Sequence, residues 1–248
     1  MLEIKTKRKS TTDIIYESLK EAIIKFDFLP GTKLVEQDLS KKLQISRTPL
    51  REALKLLEFE GFVTRKLNGG LEVSKLSIKE LQDIYELKIA IESIAVKSIA
   101  ENWHGSDLNE LENIVNKIQL ELKRTSKKEN RYSENSVLWG LEKLNLDFHF
   151  ELINIYGNQI FIEMLKRIHG RFSRYTYICY KNNKERFIKL LYEHLKIYEL
   201  IKKRKSNEAV KMIKEHIIRA EEKIINELAV RQKEEEWPGF DISEFDLQ

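Results

Sequence analysis

Residues Ser46 to Leu57, SRTPLREALKLL, decide how the first third of the chain folds. Leu50, Ala53, Leu54 and Leu57 fall at i, i+3, i+4 and i+7, the spacing of an apolar stripe on an α-helix. Arg47, Arg51 and Lys55 recur at i, i+4 and i+8 on the opposite side, so one face is for a core and the other for a polyanion. Ser46 suits an N-cap and Pro49 fits the first turn. Arginines where the helix dipole would prefer acids point to phosphate as the intended neighbour.

Working outward, Thr12 to Phe26 carries apolar residues at Ile15, Leu19, Ala22 and Ile23 and reads as a preceding helix. Leu29-Pro30-Gly31 makes a turn. Glu36 to Leu43 is a short helix anchored by Val35, Leu39 and Leu43, and Gln44-Ile45 leads into the arginine helix. Two short helices joined by a tight turn, the second with outward arginines, form a helix-turn-helix pattern. Beyond Glu60-Gly61, Phe62 to Lys66 alternates like a half-buried strand, and Leu71 to Ser74 returns after Leu67-Asn68-Gly69-Gly70. That β-hairpin reads as a wing, with Arg65 and Lys66 beside a glycine tip that lets the backbone approach phosphates closely.

Charge supports this division. The net charge of +4 is carried by the first 75 residues, while residues 76 to 248 are balanced. A basic module attached to a neutral remainder fits an anion-binding domain joined to another. The single cysteine, Cys179, allows no internal disulfide and fits a reducing compartment, and the basic N-terminal stretch has no apolar core for export. The longest uncharged run, Leu152 to Ile162, is 11 residues, too short to span a membrane. A cytoplasmic protein is expected.

From Ser77 onward the pattern is helical throughout. Helices are expected over Ser77–Asn102, opened by a Ser77/Glu80 capping box and striped by Leu81, Ile84, Tyr85, Leu87, Ile91 and Ile94. Further helices follow over Asp107–Lys123, Val137–Tyr156, Gln159–Tyr180, Lys184–Lys203 and Asn207–Arg231, with a polar loop over residues 125–135 and a break at Gly157-Asn158. The fold class is therefore mainly α: a winged helix-turn-helix with a small β-hairpin over residues 1–75, an all-α antiparallel bundle of about six helices over 76–231, and an acidic tail over 232–248.

Three histidines sit in apolar stripes on three separate helices. His149 lies among Leu141, Leu144, Phe148 and Leu152; His194 among Phe187, Leu191, Ile197 and Ile201; His216 among Ala209, Ile213, Ile217, Ala220 and Ile224. A single inward histidine is usually a hydrogen-bonded core residue. Three converging imidazoles instead suit a borderline divalent metal such as zinc or nickel, and Asn145, one turn before His149, could add a carbonyl oxygen. His104 and His169 stand outside this set.

The segment PGTKLVEQDLSKKLQISRTPLREALKLLEFEGFV, followed by NGG, resembles the winged-helix domain of the GntR family of bacterial transcription regulators over about residues 10 to 75. The resemblance implies that Arg47, Thr48, Arg51 and Gly69 contact operator DNA; from their places in the pattern, Ser46 is expected beside them and Lys55, Arg65 and Lys66 are expected to meet mainly phosphates. Gln37 stands where some members carry a further arginine. N-x-x-x-H at 145–149 and the 22-residue spacing of His194 and His216 resemble the FCD effector-binding domain of the FadR branch, extending the likeness to about residue 230. This implies a metal held by Asn145, His149, His194 and His216, Asn145 replacing the usual aspartate. It also implies a small carboxylate effector near Lys88, which stands where the family has arginine and cannot grip a carboxylate bidentately. Asn158 and Arg171 are further candidate effector contacts, the alternative for Arg171 being a solvated helix face.

The expected function is a homodimeric, ligand-responsive regulator of a palindromic operator, with repression the expected sign. The helix from Ser77 directly follows the wing, so moving it would alter the spacing of two recognition helices. Two alternatives come from other classes. A zinc metalloenzyme lacks an H-E-x-x-H base, since Glu193 and Glu215 point about 100° away from their neighbouring histidines around the helix. A non-specific DNA packager leaves the inward histidines without a use. No enzymatic activity is expected.

Overall fold

The computed structural model describes residues 9–67, 69–126, 134–181 and 184–234. Expectations for the N-terminal arm, Asn68 at the wing tip, most of the 125–135 loop, the tail beyond Glu234 and the side chains of Cys179 and Phe187 lie outside the described residues. The chain divides into two compact units, one reaching Leu76 and one spanning Ser77–Glu234.

In the first unit the helices are α1 (Thr11–Ile24), α2 (Glu36–Lys42) and α3 (Arg47–Phe59), and the strands β1 (Lys33–Leu34), β2 (Val63–Arg65) and β3 (Leu71–Val73). Helix α1 opens with a full capping box in which Ser10 and Asp13 satisfy each other's backbone N–H. Leu50, Ala53, Leu54 and Leu57 of α3 are at most 1% exposed and pack with Ile15, Leu19 and Ile23 of α1, so the expected stripe is the core of this unit. The wing is more than the expected hairpin. β1 pairs antiparallel with β3, with Lys33 opposite Glu72 and Leu34 opposite Leu71, giving the sheet order β1-β3-β2. Two residues are too few for a period-2 pattern to show, which is why β1 is invisible in the sequence.

Among its described residues the regular elements of the second unit are all helices: α4 (Ile78–Asn102), α5 (Asn109–Ser126), α6 (Glu134–Tyr156), α7 (Gln159–Lys181), α8 (Lys184–Lys202) and α9 (Ser206–Glu234). Among the described residues no helix is long and apolar enough to cross a membrane. Helix α4 packs most extensively on α9 and also meets α6, α7 and α8, which makes it the central member. The Ser77 hydroxyl caps it by accepting the Glu80 N–H at 3.3 Å. The return half of the expected capping box is replaced: Tyr175 Oη takes the Ser77 N–H at 3.1 Å and bonds Glu80 Oε2 at 2.6 Å.

The buried face of α4 is not the stripe expected from hydropathy. Leu81, Ile84, Tyr85, Ile91, Ala95 and Ile99 are buried, but so are Lys88 and Glu92, while Ile94 is 47% exposed and Leu87 half-buried. A Lys–Glu pair at i, i+4 thus occupies the core side of the helix.

Candidate DNA-contacting face and histidine centre

On the outer side of α3, Ser46, Arg47, Thr48, Arg51 and Lys55 are all exposed. Ser46 holds the extended N-cap conformation, but its hydroxyl makes no capping bond. The first amides of α3 and the Ser46 hydroxyl therefore face outward together with Arg47.

Four of the five candidate cations have acidic partners. Arg51 reaches Glu36 Oε2 through Nε and Nη2 at 3.0 Å each, and Lys55 meets Glu52 at 2.9 Å. Arg65 forms a two-pronged pair with Glu58, at 3.0 Å and 2.7 Å, and its third nitrogen donates to Gly69 O at 3.3 Å. Lys66 pairs with Glu72 at 2.6 Å. Among the described residues only Arg47 has no acidic partner in this group. Exposed pairs of this kind contribute about 0–1 kcal/mol, so a phosphate or base edge can displace the carboxylates at little cost. Gly69 has φ +82°, and a Cβ built there would meet nothing within 4 Å, so the wing tip is open as well as left-handed. An open groove of about 340 Å³ runs between the wing and the start of α2, with Lys33, Glu36, Arg65, Lys66 and Gly69 on its walls.

In the second unit, α6, α8 and α9 bring His149, His194 and His216 together. Their Nε2 atoms form a nearly equilateral triangle with edges of 3.2, 3.3 and 3.4 Å. All three rings are buried, at 4%, 0% and 2% exposure. Three nitrogens 2.0–2.1 Å from one zinc in a tetrahedron stand about 3.3–3.4 Å apart, so the donor set fits that ion without rearrangement. The same atoms are the metal-competent group among the described residues.

Carboxylates from two helices orient the rings. Glu92 of α4 bonds His149 Nδ1 at 2.6 Å and takes Lys88 Nζ on its other oxygen at 2.5 Å. Glu193 of α8 bonds His216 Nδ1 at 2.8 Å and Arg219 at 3.1 Å. Each carboxylate accepts from Nδ1 and so fixes the tautomer that leaves the Nε2 lone pair for a metal. His194 Nδ1 is buried without a partner among the described residues, and its ring stacks on Phe148 at 4.4 Å.

Burial works to raise the Glu92 carboxyl, but its interactions with the hydrogen-bonded His149 ring and the Lys88 ammonium overcome it and hold Glu92 well below the usual carboxylate range. Burial brings His149 down to about 4 and His194 well below the usual histidine range. Both imidazoles are therefore neutral at pH 7, with lone pairs available, and Lys88 is the counter-charge of Glu92. A separate buried acid, Glu142 of α6, accepts from Thr176 Oγ1 at 2.6 Å and has no partner for Oε2 among the described residues. Burial pushes it up to about 8.

Asn145 is 5% exposed and lines a cavity of about 10 Å³ with Lys88, His149, His216, Tyr85 and Phe172. Lys88 is thus beside the histidines, but bound to Glu92 rather than extended toward solvent. Asn158 and Arg171 stand elsewhere. Asn158 caps α7, its Oδ1 accepting from Ile160 and Phe161 N–H at 3.0 Å and 3.3 Å. Arg171 is drawn to Glu80 at 2.8 Å. His169, set aside in the sequence, lines a second cavity against Lys88 and His149. The orienting acids Glu92 and Glu193 are missed by sequence reasoning. Continuing the α4 stripe by its own period, 81–84/85–88–92, would have placed Glu92 inward, whereas Glu193 reaches across to a histidine on another helix.

Comparison with known proteins follows the two units. Residues 11–73 match the family described as bacterial regulatory proteins, gntR family, and residues 83–219 match the FCD domain. The HTH-type transcriptional regulator YdhC of Bacillus subtilis is 29% identical over 79% of this chain and 82% of its own length. The Nta operon transcriptional regulator of Aminobacter aminovorans is 29% identical over 78% and 85%. Among solved structures, a GntR transcriptional regulator from Rhodococcus sp. RHA1 shares the fold with a TM-score of 0.69, at 20% identity and over 88% of this chain and 99% of that one. Escherichia coli McbR/YncC follows with a TM-score of 0.65, at 18% identity and over 92% and 100%. The family and these relatives are regulators, not enzymes, which removes the metalloenzyme alternative. The chain belongs to the GntR family of transcriptional regulators and carries the FCD domain.

Proposed function

We propose that the protein is a homodimeric repressor of a palindromic operator, released or strengthened by a small carboxylate bound in a metal-containing helical domain. Residues 1–75 form the DNA-binding domain and residues 76–231 the effector-binding and dimerisation domain. Arg47 and Arg51 read base edges, bidentate arginine to guanine being the commonest specific contact, with Ser46, Thr48 and Gly69 at their sides. Lys55, Arg65 and Lys66 neutralise phosphates. His149, His194 and His216 hold zinc, which their 3.2–3.4 Å triangle favours over a larger octahedral ion such as nickel, and Asn145 supplies a fourth donor. Bound there, the metal would supply Lewis acidity to a carboxylate that displaces Asn145 or adds as a fifth donor, and Lys88 would add positive charge beside it. The setting is cytoplasmic.

The convergence of three buried Nε2 atoms carries this reading, because so costly a cluster of desolvated polar groups calls for a partner. The test is a thermal-shift panel of small organic acids run with zinc and with chelator, followed by operator footprinting with each hit. A zinc-dependent hit that changes the footprint supports it. A panel in which zinc itself neither binds nor stabilises the protein would sink it.

A further inference from the structure

We infer that the ligand pocket of the helical unit is present in a closed form, divided by Phe172, and that it takes a monocarboxylic acid with an apolar body. The inference rests on the effector reading above and names the ligand class for that site. Two cavities of about 10 Å³ each lie against the histidine cluster, and both have Lys88, His149 and Phe172 as walls. Each has room for about one water, whereas a benzene-sized guest occupies roughly 150 Å³. No organic acid enters either as it stands. Phe172, from α7, is the removable partition: its ring lies 4.8 Å from Lys88 Nζ and 5.4 Å from the Tyr85 ring. Turning it aside joins the two spaces along the Lys88 side chain.

The joined pocket is chemically two-ended. One compartment presents Asn145, His149 and His216 around the candidate metal position. The other is walled by Leu146, Phe150, Leu165 and Ile168, with His169 at its edge. Lys88 is the one lysine or arginine in either lining among the described residues. It gives one donor to Glu92 and keeps others for an incoming carboxylate. Arg171, the other cation expected at the effector site, lines neither cavity and is turned to Glu80. A ligand with a second carboxylate would bury it against aliphatic walls with no counter-charge, which is strongly unfavourable. A hydrocarbon body gains instead, by roughly fourfold in affinity per buried methylene.

The experiment uses the full chain, with zinc and separately with chelator, and titrates butyrate, hexanoate, octanoate and adipate by calorimetry. Zinc binding is measured independently by competition with a chromophoric chelator. The expected result is affinity rising from butyrate to hexanoate, and hexanoate binding at least tenfold tighter than its dicarboxylate counterpart adipate. Phe172→Leu should move the optimum toward octanoate, and Phe172→Trp should weaken every acid while leaving zinc affinity unchanged. Both variants are checked by thermal melting, and the chain-length profile is read from whichever folds. Adipate binding as tightly as hexanoate, a flat chain-length profile, a Phe172 variant with the parent's profile, or no acid binding in either metal state overturns the inference. If zinc binds and dicarboxylates are preferred, the ligand class fails while the metal-linked effector reading stands. If zinc does not bind, that reading fails whatever the acids show.

Discussion

His149 Nδ1 and Glu92 Oε2 lie 2.6 Å apart in the core of the helical unit, and the same carboxylate holds Lys88 at 2.5 Å. Glu92 therefore has two tasks, orienting a candidate metal ligand and neutralising a buried cation, and they are separable. Glu92→Gln should lower zinc affinity about 10–100-fold. It should also destabilise the fold by about 3–5 kcal/mol, because Lys88 loses its counter-charge. Adding Lys88→Met to Glu92→Gln should restore most of the stability but not the zinc affinity. Urea titration and chelator competition on the three variants check this. Zinc affinity within twofold of the parent in Glu92→Gln would show that the carboxylate does not orient His149.

Arg51 and Glu36 offer a second separable pair, on the DNA-contacting unit. Their ion pair is exposed, so Glu36→Gln should change folding stability by no more than about 1 kcal/mol. Arg51→Ala should weaken operator binding by about 1–3 kcal/mol and relax base preference at one position in each half-site. Lys55→Ala should reduce the salt slope by roughly one while leaving preference intact. Equal binding of operator and random DNA by the parent and Arg51→Ala, measured by fluorescence anisotropy across salt, would remove Arg51 from readout.

The arginine helix and the histidine set were legible for the same physical reason: each stands out against an apolar stripe of unambiguous period. Leu50, Ala53, Leu54 and Leu57 mark α3, and three helical stripes each contain one histidine. What the pattern could not show is a charge buried by pairing. Hydropathy sends Lys88 and Glu92 outward and Ile94 inward, yet the neutralised pair is 3% and 0% exposed and Ile94 is 47% exposed. Contacts across large sequence separations were equally hidden. Arg171 is claimed by Glu80, 91 residues earlier, and Glu193 orients His216 rather than its neighbour His194. Asn158 carried a plain local signal, an N-cap after a glycine, and the structure uses it as one.

At the wing tip, Gly69 combines φ +82° with open space around its missing Cβ. Gly69→Ala should therefore cost only the left-handed backbone penalty, about 1–2 kcal/mol, with no clash inside the protein. Gly69→Asn should cost less, because asparagine tolerates that region. If the tip enters a groove, both should weaken DNA binding by more than their loss of stability explains. Melting temperature and anisotropy on the same samples decide it. DNA affinity that tracks stability alone, or does not change, would take the tip out of the interface.

Glu142 makes the fold pH-dependent with a definite sign. Its carboxyl is raised by burial from 4.5 to about 8, with Thr176 donating to one oxygen and Lys88 the charged group that partly opposes the rise. Between those values the folded chain keeps a proton that the unfolded chain has released. Stability is therefore highest below pH 4.5 as far as this group is concerned, and falls as pH rises toward 8. From pH 5.5 to 8.5 the loss should be on the order of a few kcal/mol. Glu142→Gln keeps the acceptor for Thr176 but cannot ionise, so its profile over that interval should be flatter by the same amount. Urea midpoints with chelator present keep metal-linked protons out of the comparison, and the other raised carboxyls among the described residues, Asp147, Glu151 and Glu221, contribute equally to both proteins. Parallel pH profiles for parent and Glu142→Gln would mean that Glu142 ionises in the folded state as readily as in the unfolded one.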